Sequence, residues 1–232
     1  MCEIKIKVQC PHCESPNVVK NGTKSTGKQN FLCRGCRKQF QYAYQHKGAD
    51  PNVKRQVLSS LIHGGGIRDN SAVFNVSQLT VLRLIMRHAS NLVVRPKKGH
   101  HHKVIMDEFY SFVGGKGKKV WIIYAYAPET KEILAFTMGK RTTRQVRFLM
   151  LKIKHLHLKI DCWCTDAFEG FIHVLRRFKH LIGREHTKPI EGRNTCLRAR
   201  IARFQRRTTK FSKKLIYQWN LFLIFVHWLN AQ

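Results

Sequence analysis

Two short cysteine knuckles constrain the fold more than any other feature of the chain. Cys10-Pro11-His12-Cys13 and Cys33-Arg34-Gly35-Cys36 are C-x2-C pairs with 19 residues between them. Each pair sets two thiolates on one tight turn, and two such turns complete a tetrahedral four-sulfur zinc site. A closed site of this kind staples a small fold that buries too little core to stand alone. Asn21-Gly22 and Thr26-Gly27 supply turns for strands between the knuckles. Residues 1–46 are therefore expected to form a zinc ribbon on Cys10, Cys13, Cys33 and Cys36, with Zn2+ in a structural role. Two unrelated buried cysteine pairs are the weaker alternative, and a redox motif needs only one pair at a helix start. The first residues do not resemble a signal peptide. A soluble, cytoplasmic protein is expected, and its eight cysteines are read as thiols or metal ligands.

Charge then narrows the partner. The chain of 232 residues carries 43 Lys+Arg against 13 Asp+Glu, a formal net charge of +30. Self-repulsion on that scale works against a compact state unless a polyanion shares it, which points to nucleic acid. Both parts of the chain contribute: residues 1–103 hold 18 basic and 4 acidic residues, residues 104–232 hold 25 and 9. A membrane surface is the weaker alternative, because the basic residues follow no single amphipathic stretch. The most apolar window, 221–229, is about half a membrane span and contains His227, so it reads as a buried helix.

Residues 47–94 read as helices over 53–63, 67–74 and 77–87, with Ser77 as N-cap of the last. A short helix, a tight turn and a further helix describe a helix-turn-helix, with Leu79, Leu82, Ile85 and Met86 as the apolar face. Gln78, Thr80, Arg83 and Arg87 would then meet the major groove or its phosphates of double-stranded DNA. A plain three-helix bundle is the alternative. Residues 95–103 read as a basic linker; three adjacent histidines, His100 to His102, do not easily converge on one metal. Residues 104–232 give strands over 104–113, 120–127 and 133–138, a helix over 143–155, a strand over 160–164, a helix over 168–178, a strand over 180–184, then helices. That is the element order of a ribonuclease-H-like α/β domain. Cys162 and Cys164 flank Trp163 as ordinary buried strand residues.

Among so few acids, those at strands are informative. Asp107 lies inside the first strand of this region, where an unpaired carboxylate is expensive. Asp166 follows the strand over 160–164, at the carboxyl end where open α/β sheets place their sites. Glu191 is the last acid of the chain and heads a stretch, 192–214, with nine Lys/Arg. Three such carboxylates can hold two Mg2+ or Mn2+ ions for phosphoryl transfer. Asp166 as an N-cap and Glu191 as a helix-dipole partner are the simpler alternatives. Strand alternation sends Glu108 to the face opposite Asp107, which favours Asp107.

Together, the zinc ribbon, the helix-turn-helix and the segments Asp107-Glu108-Phe109-Tyr110-Ser111-Phe112-Val113, Trp163-Cys164-Thr165-Asp166, Ile190-Glu191-Gly192-Arg193-Asn194-Thr195-Cys196-Leu197-Arg198 and Phe211-Ser212-Lys213-Lys214 resemble transposases of the insertion-sequence-one type. The likeness covers nearly the whole chain, including the short spacing of 24 residues between Asp166 and Glu191. It implies an Asp107, Asp166, Glu191 triad on a ribonuclease-H-like fold, a divalent metal, and cutting and joining of the element's own ends. Asn194 and Arg198 share the Glu191 helix face at i+3 and i+7. They are read as DNA-binding, with Arg203 and Arg207 further along; Leu197, Ile201 and Phe204 form the apolar stripe. The expectation is a bacterial, nucleoid-associated enzyme acting on element ends and target as a homodimer or higher assembly. A non-catalytic sequence-specific DNA-binding regulator with a silent core is the alternative, and a structure-selective nuclease of the same fold a third.

Overall fold

The computed structural model describes residues 6–42, 44, 46–205 and 209–232. Strands β1 (Val18–Thr23), β2 (Gln29–Cys33) and β3 (Gln39–Gln41) form an antiparallel meander. Gly22 and Gly27 take positive φ at its turns, a conformation that L side chains adopt at a cost. Among the described residues its buried apolar core is Cys10, Cys33 and Phe40, with Phe31 stacked on Phe40 at 5.7 Å between centroids.

Helix α1 (Pro51–Ile62) starts on Asp50, whose side chain accepts from the Asn52 N–H at 2.8 Å, with proline in the first turn where its missing N–H costs nothing. Helix α2 (Ile67–Val73) ends in a turn through Asn75 at φ 50°, and α3 (Gln78–Ala89) begins on Ser77, whose hydroxyl accepts from Thr80 N–H at 3.0 Å. The buried face of α3 is Val81, Ile85 and Ala89. Leu79, expected on that face, is 50% exposed: the inward stripe repeats every four residues from Val81 and turns Leu79 outward.

The larger sheet contains β4 (His100–Phe112), β5 (Lys119–Ala127), β6 (Glu132–Gly139), β7 (Lys159–Thr165) and β8 (His180–Ile182), in the order β6-β5-β4-β7-β8. β5 runs antiparallel to both neighbours; β4, β7 and β8 are parallel. Three strands in a meander followed by two parallel strands inserted on the other side of the first is the ribonuclease-H-like arrangement. β4 starts at His100, so the histidines expected in a linker are strand residues. Pairing of His100 with Lys159 and His101 with Ile160 gives their backbone polar groups partners.

One face of this sheet packs on α4 (Thr143–Lys154) and α5 (Glu169–Leu175) through Val104, Met106, Ile123, Ala125, Val146, Leu149 and Phe171. The other carries α6 (Arg184–Arg200) and α7 (Leu215–Asn230) through Ile105, Phe109, Tyr124, Leu197, Phe222 and Phe225. The same cluster takes in Val57, Leu61, Val81 and Ile85, so α1 and α3 share a core with the sheet. The apolar helix expected near the C-terminus is thus inside this core, and among the described residues no helix is long and apolar enough to cross a membrane.

Asn230, at the end of α7, accepts from Ile133 N–H and donates to Ile133 C=O, both at 3.0 Å. These bonds satisfy backbone groups of the edge strand β6 in a buried setting. Asn230→Leu leaves both unpaired and is expected to cost about 2–4 kcal/mol, read from the urea midpoint at unchanged slope.

Candidate metal centre and nucleic-acid interface

Pairing of β4 with β7 ends at Ile105 and Cys164. Beyond that point β4 continues beside β5 alone, leaving one edge open at the carboxyl end of β7 and partway along β4. Asp107 sits on β4 just past the opening; Asp166 follows β7 and accepts from Phe168 N–H at 3.0 Å. Carboxylate oxygens of Asp107, Glu108 and Asp166 lie within 4.8 Å of one another. Glu108 therefore joins the cluster that strand alternation excludes it from. Its Cα does face the α4/α5 side, opposite Ile123, while Asp107 lies opposite Tyr124. The alternation rule holds for the backbone, but with no neighbour strand in between, side chains from both faces meet over the open edge. Arg141 steers Glu108 there, its Nε at 2.7 Å and Nη2 at 2.6 Å from Oε1, while its guanidinium stacks 4.0 Å from the Phe168 ring.

Helix α6 covers the Asp107 side. It begins at Arg184 and carries Pro189 inside it. Glu191 is consequently about two turns into the helix, where a first-turn dipole role does not apply. Its Oε1 lies 3.2 Å from Arg184 Nε, with side chains 51% and 87% exposed, and it is not one of the three clustered acids. Asn194, one turn on, donates from Nδ2 to Asp107 Oδ2 at 2.6 Å and accepts from Tyr124 OH at 2.9 Å. The structure thus gives Asn194 an acid to hold where DNA contact was expected. Tyr124 escaped sequence reasoning; its position directly across the strand pair from Asp107 was the available signal. Arg198 lies with its guanidinium 5.5 Å from the Phe109 ring, on the same side.

Burial pushes the Asp107 carboxyl up to about 6; the Glu108 N–H and Asn194 pull it down, and the charges of Asp166 and Glu191 add to the rise. Burial and the charge of Asp166 push Glu108 up to about 7 against the pull of Arg141. Glu108 Oε2 is buried with no hydrogen-bond partner. Crowded, partly desolvated oxygens with an unsatisfied acceptor fit a hard divalent cation, which Asp107, Glu108 and Asp166 would hold. The folded state keeps protons that the unfolded chain gives up near pH 4, so without metal these groups cost stability as pH rises from about 4 to 7. A cation displaces those protons. Mn2+ affinity measured by titration calorimetry is expected to fall about tenfold per pH unit below about 6 for each proton displaced.

At the other end of the chain, the four knuckle cysteines converge. Cys10 and Cys36 Sγ are 3.6 Å apart, as are Cys13 and Cys33, and all four lie within 4.8 Å. Tetrahedral Zn–S bonds of about 2.3 Å need sulfurs about 3.8 Å apart, so these donors fit zinc. The Cys36 N–H, 3.5 Å from Cys33 Sγ, draws the Cys33 thiol down to about 6.

Residues 103–227 match the model of the IS1 transposase family, and residues 4–37 match the zinc ribbon of the InsA N-terminal domain. The chain belongs to the IS1 transposase family. Among its relatives, the insertion element iso-IS1n protein InsB of Shigella dysenteriae is 36% identical over 110 residues, covering 47% of this chain and 82% of that protein. The insertion element IS1 protein InsB of Shigella sonnei is 33% identical over the same length and shares. A chain of the simian T-cell lymphotropic virus intasome in complex with PP2A regulatory subunit B56 gamma matches at TM-score 0.40 and 14% identity, covering 75% of this chain and 65% of that one.

The basic residues of this IS1-family chain separate by accessibility. Arg83 and Arg87 are exposed and share the outward stripe of α3 with Leu79, and Gln78 is exposed at its first position. Thr80 is turned away: its Oγ1 is 2.9 Å from Ser77 Oγ, and its methyl lies against Gly48. Arg203, expected on the DNA side, is buried; Nη1 donates to Ser212 Oγ at 2.6 Å, and burial lowers it to about 10. The reason is that α6 stops at Arg200 and a 3-10 turn over Ala202–Phe204 carries the chain inward, so the helical face extrapolated past residue 200 does not exist. Leu197, Ile201 and Phe204 are buried as the stripe required. Arg207 lies outside the described residues.

Proposed function

We propose that this chain binds the terminal inverted repeats of its insertion sequence and catalyses metal-dependent end cleavage and strand transfer. The observation that carries this reading is the meeting of Asp107, Glu108 and Asp166 where the pairing of β4 with β7 ends, with Asn194 of α6 holding Asp107, in a chain of this family. Mg2+ or Mn2+ bound by these acids would supply Lewis acidity for phosphoryl transfer. The protein's own residues then position the reaction. Asn194 fixes one oxygen of Asp107, and Arg141 orients Glu108. Glu191 exchanges its exposed pair with Arg184, worth little in water, for the centre when DNA arrives. Water attacks the phosphorus at an element end and the bond to the 3′ oxygen breaks. The freed 3′-hydroxyl attacks a target phosphodiester in turn, joining to its phosphorus as the bond to the target's own 3′ oxygen breaks and that oxygen leaves with the proton. Residues 1–46 and 47–94 act in end recognition, with Gln78, Arg83 and Arg87 toward the duplex, and residues 104–232 act in catalysis. Holding two ends together calls for at least a dimer.

Incubating the purified chain with duplexes carrying its native flanking sequences and Mn2+ tests this. Nicked and joined products from wild type, absent with Glu191→Gln, support the reading. Specific binding without products from wild type supports a DNA-binding regulator, and cutting that ignores end sequence and never joins supports a nuclease.

A further inference from the structure

We propose that His100, His102 and Asp161 form a second transition-metal site, taking Zn2+ or a similar borderline divalent ion, separate from both the cysteine site and the acid cluster. Alternate residues of a strand share a face, so His100 and His102 project together from β4 while His101 is buried on the other side. The parallel register that pairs His101 with Ile160 and Lys103 with Cys162 sets Asp161 beside His102. His100 Nε2 and His102 Nδ1 each stand 2.9 Å from Asp161 Oδ2, and the three ligand atoms lie within 4.8 Å of one another.

Two imidazoles and a carboxylate are a donor set for zinc and its neighbours. Donors 2.9 Å apart subtend roughly 90° at an ion about 2.0–2.1 Å from each, so small side-chain rotations suffice to admit one. The backbone ladder fixes all three Cα positions, which pre-organises the site. Side-chain exposures of 42%, 75% and 38% leave coordination positions open to water. Negative charge is scarce in this chain, yet a second acid is here: Glu129 Oε1 accepts from the His102 N–H at 3.0 Å. Lys159 is the opposing positive neighbour. The site lies at the amino-terminal ends of β4 and β7, the far end of these strands from Asp107 and Asp166. An ion there clamps the two central strands where the chain enters the sheet.

The test is zinc binding by the full chain, purified with its cysteine site loaded, held in excess Mg2+ to occupy the acid cluster, and titrated with Zn2+. Wild type is expected to take one further equivalent, and His102→Asn and Asp161→Asn each to weaken it at least tenfold. Asp107→Asn is expected to leave it unchanged. His102 is exposed, and an unchanged melting curve in the absence of added metal shows that the variant folds. No further equivalent in wild type, one retained at full affinity in both variants, or one lost with Asp107→Asn would each overturn the proposal.

Discussion

Cys33→Ser is expected to abolish zinc binding at the cysteine site and unfold the ribbon while leaving the larger sheet intact. Among the described residues the buried apolar side chains of the ribbon are Cys10, Cys33 and Phe40, two of them metal ligands, so little apolar burial remains once the metal is lost. Structural zinc in such small units is worth about 10–16 kcal/mol of apparent binding free energy, more than a fold of this size otherwise holds. Neither large cluster of the rest of the chain contains a ribbon residue. Limited proteolysis followed by mass spectrometry should therefore show rapid cutting within residues 6–42 and a protected remainder. Retention of zinc at the cysteine site, read in a His102→Asn background, together with protease resistance in Cys33→Ser would contradict this assignment.

Asp107→Asn is expected to remove cleavage and joining, by about 10³-fold or more, with little loss of stability. Asn194 has already fixed the position of this side chain, and an amide of the same shape can still accept one of its hydrogen bonds. Because burial holds the Asp107 carboxyl up at about 6, the ionised acid is unfavourable in the fold at pH 8, and a neutral amide escapes that cost. The melting temperature at pH 8 without metal should thus stay within a few degrees of wild type or rise. Activity lost together with a large fall in melting temperature would point to a structural role for Asp107.

The sheet was legible because its strands are short apolar runs broken by Gly-rich or Pro-containing turns, and their order alone pointed to a ribonuclease-H-like domain. The cysteine knuckles were legible because their chemistry is local: four ligands in two tight turns. The acid cluster was legible only in part. Asp107 and Asp166 stand out by scarcity of charge, whereas Glu108 was excluded by an alternation rule that ceases to separate faces where β7 ends. Asn194 and Arg203 show the same limit. Both belong to a basic stretch that suggests DNA, yet one is turned to Asp107 and the other is buried against Ser212. Long-range packing and the end of α6 at Arg200 decide those orientations. Similarly, His100 to His102 looked unable to converge as neighbours, and it is the partner strand that brings Asp161 to the two on one face.

Counting insertions in bacterial cells shows whether Glu191 completes a transposition site built on Asp107 and Asp166. The gene with its native flanking DNA would be compared as wild type and as Glu191→Gln, with both proteins verified as expressed. Glu191 is half exposed and, among the described residues, its side chain is paired with an exposed arginine, so the substitution should leave the fold unchanged. The expected result is insertions from wild type at new loci and none above background from Glu191→Gln. Insertions at the wild-type rate from Glu191→Gln, or none from wild type, would contradict the account.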